Sequence, residues 1–192
     1  MFKPIALIMI KAISFILTWP FILIARLGLF FGTEELFVTC GQILSLFPGR
    51  MGVYLRSSFY CHTLHGFGSG AHVDFGSYFS KSRADIGKRV WIGGNSIIGF
   101  SKIGDDAVIG SKVSILSGRR QHNFTDIESG ILNQEGFFTC VTIGNNVFIG
   151  EQALVMANVG EKSIIGAGSV VVDEIPSYCV AVGNPAKVIK KR

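Results

Sequence analysis

Apolar residues beyond position 66 recur at a spacing that neither a helix nor a single strand explains. An aliphatic residue followed by Gly stands at Ile86-Gly87, Ile92-Gly93, Ile98-Gly99, Ile103-Gly104, Ile109-Gly110, Ile143-Gly144, Ile149-Gly150, Val159-Gly160 and Ile165-Gly166. The basic period is six. Ile115, Val155 and Val171 continue the series without the Gly, and Phe67, Val73 and Phe79 extend it backward. A helix needs apolar positions at i, i+3, i+4 and i+7, and a strand needs strict alternation. A solenoid satisfies a period of six: one apolar residue in six enters a narrow shaft, and the small residue after it lets the backbone turn.

Grouped in threes, these anchors define five coils: 67/73/79, 86/92/98, 103/109/115, 143/149/155 and 159/165/171. Every departure from six falls between the last anchor of one coil and the first of the next. Coils rise by about the inter-strand spacing of ~4.8 Å, so the breaks are predicted to stack at one corner. That edge is the candidate functional edge, and the longest break, an extruded loop over 117–138, belongs to it.

The first fifty residues follow another pattern. They carry Lys3, Lys11, Arg26, Glu34, Glu35 and Arg50 and are almost unbroken in apolar character from Ile5 to Phe31. The charge-free run Ala12–Ala25 falls short of the ~20 residues of a simple span, and Pro20 interrupts it. The expectation is therefore two short helices lying in or dipping into one leaflet, flanked by basic residues suited to an anionic cytoplasmic surface. A signal peptide is the competing reading, but no small-x-small cleavage site follows the run. The sequence thus divides into a hydrophobic helical membrane-associating region (1–50), a transition (51–66), repeat coils (67–172) and a C-terminal segment (173–192).

Composition narrows the picture. The 192 residues include 24 Gly, 48% hydrophobic and only 16% charged residues, too apolar for disorder and too poor in Gly for collagen. Cys40, Cys61, Cys140 and Cys179 form neither a CxxC nor a disulfide framework. The net charge of +5 comes without a basic stripe or a nucleic-acid motif, so no nucleic-acid partner is expected. Cys61, His62, His65 and His72 cluster but fit no standard zinc spacing, and no metal is expected.

The repeat, with Val113-Ser-Ile-Leu-Ser-Gly118, Val141-Thr-Ile-Gly-Asn-Asn-Val-Phe-Ile-Gly150 and Ile165-Gly-Ala-Gly-Ser-Val-Val-Val-Asp-Glu-Ile-Pro176, resembles the hexapeptide-repeat acyltransferases, and among them the sugar O-acetyltransferases. The resemblance implies a mainly β fold, a left-handed parallel β-helix of about five coils behind the N-terminal helical region, with a short C-terminal segment. The hand comes from the resemblance alone, because parallel crossovers are otherwise right-handed in ≈ 98% of cases. It also implies acetyl-CoA as co-substrate and a homotrimer.

His122, the only His beyond residue 72, lies in the loop at the place where the sugar O-acetyltransferases carry a His. A general base with a pKa near neutrality is what transfer from a thioester to a hydroxyl requires. Asp126 is a candidate to orient its imidazole, with Glu135 or a backbone carbonyl as alternatives. By resemblance, Ala167 and Gly168 offer backbone to the pantetheine arm. Phe148 stands where relatives often place Trp, and Glu151 where some place Ser. Lys187 and Lys190 fall where relatives have basic residues near the coenzyme phosphates. Asp173 departs from the family's usual Lys.

These features predict an O-acetyltransferase acting on a sugar hydroxyl of a surface polysaccharide or its lipid-linked precursor, at the cytoplasmic face of the inner membrane. The alternatives are an N-acetyltransferase on an amino sugar, a small-molecule acetyltransferase of the serine or antibiotic type, and a β-helix scaffold without activity.

Overall fold

The computed structural model describes residues 2–121, 123, 125–128 and 130–192, with the backbone alone for 2–6 and 131. Three helices precede the repeat: α1 (Phe2–Phe30), α2 (Glu35–Ser45) and α3 (Gly49–Thr63). Helix α3 occupies most of the interval read as a transition.

Helix α1 is one continuous helix through Pro20, where the sequence predicted two short ones. Proline removes one intrahelical hydrogen bond and crowds the preceding turn. Here Pro20 is exposed, while the opposite stripe Ser14, Thr18, Ile22, Ala25 and Gly28 is buried. That stripe is dominated by small residues, which permits close approach: a Cβ on Gly28 would stand 2.9 Å from Leu36 Cβ. Thr18 Oγ1 donates to Ser14 O (2.8 Å) and lies 3.0 Å from Ser58 Oγ of α3. Packing of this face keeps the helix continuous across the proline, as tertiary context commonly does for a helix.

The repeat folds into a parallel β-solenoid. Its coils run β1 (Gly66–Phe67), β2 (His72–Val73), β3 (Tyr78–Phe79); β4 (Asp85–Ile86), β5 (Trp91–Ile92), β6 (Ile97–Ile98); β7 (Ser101–Ile103), β8 (Val108–Ile109), β9 (Ser114–Ile115); and β10 (Val141–Ile143), β11 (Phe148–Ile149), β12 (Leu154–Val155). The fifth coil comprises Val159, β13 (Ile164–Ile165) and β14 (Val170–Val171), and a sixth, partial coil comprises Ile175 and β15 (Cys179–Val182). Antiparallel β16 (Lys187–Lys191) pairs with β15. The five-coil grouping holds, and one further partial turn follows, built from Ile175 and Ala181 as shaft residues.

First, second and third strands of each coil stack into three faces, called here the first, second and third. The anchors pair in register, Ile86 on Ile103, Ile92 on Ile109 and Ile98 on Ile115, and all are buried. All breaks in the period fall at the corner between the third and first faces, as expected.

The glycines act differently from the sequence reading. A Cβ on Gly110 would meet Glu151 N at 2.7 Å, and one on Gly150 would meet Ala167 N at 2.4 Å, so these positions are small because successive coils stack corner on corner. The left-handed turn residue is two places later, and it is often not Gly: Arg89, Asn95, Asp106, Lys112, Asn146, Gln152 and Lys162 all have φ between 53° and 60°.

The helices close the N-terminal end of the shaft. The first coil supplies Phe67 and Phe79 where later coils supply Ile, and Tyr60 of α3 packs on them with ring centroids 4.6 Å from Phe79 and 6.3 Å from Phe67. Arg56, fully buried, donates from Nε to Val73 O (2.9 Å) and from Nη1 to Leu44 O, Ser45 O and Phe47 O (3.1, 3.2 and 2.8 Å). The Glu34 carboxylate accepts from Ser82 N–H and Oγ–H (3.0 and 3.1 Å). A solenoid end needs such a cover, because its shaft is otherwise open to water.

Candidate active site

The long loop leaves the solenoid after β9 in the third coil and returns at β10. Its two limbs are joined at the base, where Thr139 N–H donates to Ser117 O (2.9 Å) and Phe137 N–H to Arg120 O (2.7 Å). Among its described residues it includes a 3-10 turn at Ile131–Asn133. Because every coil is irregular at this corner, the loop limbs lie against a column of other corner residues. Lys81 of the first coil sits 4.4 Å from the Phe138 ring centroid. Arg119 Nη1 reaches Asp173 Oδ1 of the fifth coil at 3.1 Å. The loop is thereby tied both above and below the coil from which it emerges.

Asp173 is also 4.0 Å, through Oδ2, from Lys187 Nζ at the start of β16. By resemblance, Asp173 stands where the family usually has Lys, so a coenzyme phosphate contact is expected to be missing or replaced there. Its position shows a different use, as the acid that links the loop to the C-terminal segment. The departure from the family's Lys was the available signal, and the partner Arg119, 54 residues away, was not readable from spacing.

His122 lies outside the described residues. Asp126 is exposed in the outer part of the loop, where Oδ1 accepts from Glu128 N–H (3.0 Å) and its carbonyl accepts from Gln134 Nε2 (2.8 Å). Glu135 is exposed in the returning limb.

The proposed coenzyme residues occupy another edge. Phe148 points outward from the second face, 45% exposed, in register with Val108 and Ile164. Glu151, Ala167 and Gly168 follow at the corner between the second and third faces, all exposed, and Gly168 N–H donates to Glu151 O (2.8 Å). Gly168 has φ +67°, and a Cβ there would meet nothing within 4 Å, so its freedom serves the turn. Lys190 pairs across from Val180 on β16, exposed.

Within one chain, then, the loop lies at one edge of the third face, while the coenzyme residues other than Lys187 lie at its other edge and on the second face. The C-terminal segment crosses between them: Val170 N–H donates to Gly183 O and Ala186 N–H to Val170 O (2.9 and 2.8 Å), which carries Lys187 toward Asp173. Among the described residues, no group of three or more His, Cys, Asp or Glu side chains is placed to hold a metal.

The model of the hexapeptide repeat of succinyl-transferase matches residues 83–117 and 140–172, and the interval between the two matches is the extruded loop. The chain is similar to the galactoside O-acetyltransferase of Escherichia coli, 33% identical over 136 residues that cover 65% of this chain and 62% of that one. A putative acetyltransferase of Saccharomyces cerevisiae is 53% identical over 53 residues, 27% of each chain. The chain therefore spans less than two thirds of these relatives. Among solved structures, a galactoside acetyltransferase in complex with coenzyme A superposes with a TM-score of 0.68 at 28% identity over 80% of each chain. A maltose O-acetyltransferase from Clostridium difficile superposes at 0.71 with 24% identity, over 81% of this chain and 84% of that one, a likeness of fold. Two segments of the chain match the hexapeptide repeat, and the relatives it resembles are acetyltransferases, as the motifs implied.

Proposed function

We propose that the protein is an acetyl-CoA-dependent O-acetyltransferase acting on a sugar hydroxyl of a surface polysaccharide or its precursor at the cytoplasmic face of the cell membrane. The observation that carries the reading is the loop containing His122. It is the one long excursion from the repeat, it issues from the corner where the coils depart from the six-residue period, and Arg119–Asp173 and Lys81–Phe138 hold its two limbs. The bound coenzyme of the galactoside enzyme supports acetyl-CoA as donor.

In this mechanism the His122 imidazole takes the proton of the acceptor hydroxyl as its oxygen attacks the thioester carbonyl. Backbone N–H groups stabilise the oxyanion. The tetrahedral adduct then collapses to the acetyl ester, and the departing sulfur receives the proton from His122 and leaves as coenzyme A. Apart from Lys187, the coenzyme residues lie away from the loop within one chain. A trimer, which would set the loop of one chain beside a neighbour's second face, completes the site, and the exposed Val108 and Phe148 on that face suit burial against a neighbour.

Membrane association is supported by α1. Over Leu7–Phe30 it is apolar and mostly exposed, with Ile8, Ile16, Leu23 and Leu27 all more than half exposed. Its 24 residues extend about 36 Å, against a hydrocarbon core of ~30 Å.

The test is His122→Ala in detergent-purified protein with acetyl-CoA and a panel of sugars. The expected result is a fall in turnover of 10²–10⁴-fold with coenzyme A binding retained. Unchanged turnover overturns the assignment of the base. Mass spectrometry of the polysaccharide from a strain lacking the gene should show a missing acetyl group, and an unaltered polysaccharide overturns the acceptor class.

A further inference from the structure

A groove of about 1040 Å³ opens where α1 and α3 meet the first two coils. It lies at the upper end of the ~300–1,000 Å³ range of small-molecule sites. Three features of its wall point to one class of occupant. First, its charged groups are Lys11 and Arg50, and no carboxylate lines it among the described residues. Second, Ser14, 1% exposed and part of the lining, has an Oγ with no hydrogen-bond partner among the described residues. A buried hydroxyl without a partner carries a desolvation cost that a ligand oxygen would relieve. Third, Leu7 and Phe15 belong both to the groove and to the exposed apolar surface of α1, so the groove is continuous with that surface. An alkyl chain can enter it without crossing water.

The far end of the groove is Trp91, whose ring stacks on His72 at 3.8 Å between centroids. Trp91 is in register with Val108, and Val108 with Phe148. Two strand spacings, about 10 Å, therefore separate the groove's end from the row expected to meet coenzyme A.

We propose that this groove binds a long-chain lipid phosphate, the lipid that carries the sugar acceptor. The chain lies along Leu7, Phe15, Val53 and Phe67, Lys11 and Arg50 hold the phosphate, and the attached sugar extends past Trp91 along the second face. The inference rests on the membrane reading above and adds a defined site to it. Charge-assisted contacts from two cations give the phosphate its selectivity over a neutral headgroup.

Trp19 and Trp91 are the two tryptophans of the chain, and they report on different surfaces. In Trp19→Phe protein held in nonionic detergent, a brominated hexadecyl phosphate should quench Trp91 saturably, and the brominated alcohol of equal length should bind at least tenfold more weakly. Lys11→Gln combined with Arg50→Gln, both exposed positions, should weaken the phosphate by tenfold or more while coenzyme A binding stays intact. Equal binding of alcohol and phosphate, or no saturable quenching, overturns the site. Competition distinguishes the lipid source. Displacement by a polyisoprenyl monophosphate supports the acceptor lipid, whereas displacement by a diacyl phosphatidic acid alone overturns that source and marks a resident membrane lipid. In Trp91→Phe protein, quenching of Trp19 by brominated phosphatidylcholine vesicles tests the membrane reading by itself. Quenched Trp19 with unquenched Trp91 refutes the groove alone, and unquenched Trp19 refutes the membrane reading.

Discussion

The Nε of Arg56 donates to the carbonyl of Val73 at 2.9 Å, and this bond joins the third helix to the first coil. The same guanidinium serves the last carbonyls of α2, so a single buried cation fixes two helices and one strand. Its burial lowers its pKa, yet a guanidinium remains charged in any accessible range. Arg56→Met would leave the carbonyls of Val73, Leu44, Ser45 and Phe47 short of donors, and it is expected to cost at least about 3 kcal/mol. Arg56→Lys should recover only part of the loss, because one ammonium cannot span carbonyls on both α2 and β2. Denaturant unfolding in detergent reads both values, and a Met variant as stable as the parent would remove Arg56 as the clamp.

The separation of the stacked glycine from the left-handed residue predicts opposite outcomes two positions apart. Gly110→Ala places a Cβ 2.7 Å from Glu151 N in the coil below, a backbone atom that cannot move aside, and should destabilise by roughly 1–3 kcal/mol. Lys112 has φ +59°, where a side chain is strained, so Lys112→Gly should be neutral or raise stability by up to about 1 kcal/mol. Paired thermal melts test the ordering, and it fails if the two changes act alike.

The repeat was legible because its cause is local. One shaft residue and one crowded corner recur every six positions, and the breaks share a corner because only there does a coil have room to change length. The glycines act otherwise than the repeat suggests, since coil-on-coil crowding is a contact between residues 16 or more positions apart and leaves no local sign. Pro20 is a similar case: the buried stripe of Ser14, Thr18 and Ala25 along which α1 stays continuous has meaning only once α3 lies against it. At the candidate site, the loop and its corner followed from counting. The Arg119–Asp173–Lys187 link and the groove beside α3 depend on the tertiary fold and could not.

The Arg119–Asp173 pair is exposed, with 57% and 62% of the two side chains accessible, so its effect on global stability should be small, at most about 1 kcal/mol. Its effect on the loop should be larger. Asp173→Asn is expected to leave the melting temperature nearly unchanged and to lower turnover several-fold by releasing the outgoing limb. Limited proteolysis should then cut within 119–138 faster than in the parent. The effect should shrink in high salt, where the parent pair is itself screened. Unaltered proteolysis and turnover would show that Arg119 does not position the loop.

His72 stacks on Trp91 beside the groove, and partial burial lowers its pKa below the ordinary 6.5. Asp74 opposes the shift, and Arg56 adds to it in a smaller degree. The unfolded chain therefore binds this proton at a higher pH than the folded one. The corresponding stability is fully present above pH 6.5 and is lost as the pH falls through the folded-state pKa. In Trp19→Phe protein, Trp91 emission should titrate with a midpoint below 6.5, and His72→Leu should abolish the transition. A midpoint above 6.5 would contradict the burial of the ring.

The arrangement of α1 separates membrane affinity from folding, because most of its large apolar residues face outward while its buried stripe, Ile22 aside, is made of small residues. Ile16, Leu17, Leu23 and Ile24 are each at least 45% exposed and contribute little to the core. Changing all four to Ser should leave the fold of the solenoid intact while removing roughly 6–12 kcal/mol of transfer free energy toward lipid. The expected result is movement from the membrane pellet to the supernatant, with coenzyme A binding unchanged. Thr18→Leu should do the reverse. Thr18 is fully buried, its hydroxyl 3.0 Å from Ser58 Oγ, so a larger side chain forces α1 off α3 and destabilises the helical unit without weakening its attraction to lipid. Membrane fractionation and thermal unfolding of the two variants test the separation. A fourfold Ser variant that stays in the pellet would remove the outward face of α1 as the membrane contact, and one that aggregates would show that this face is covered by protein instead.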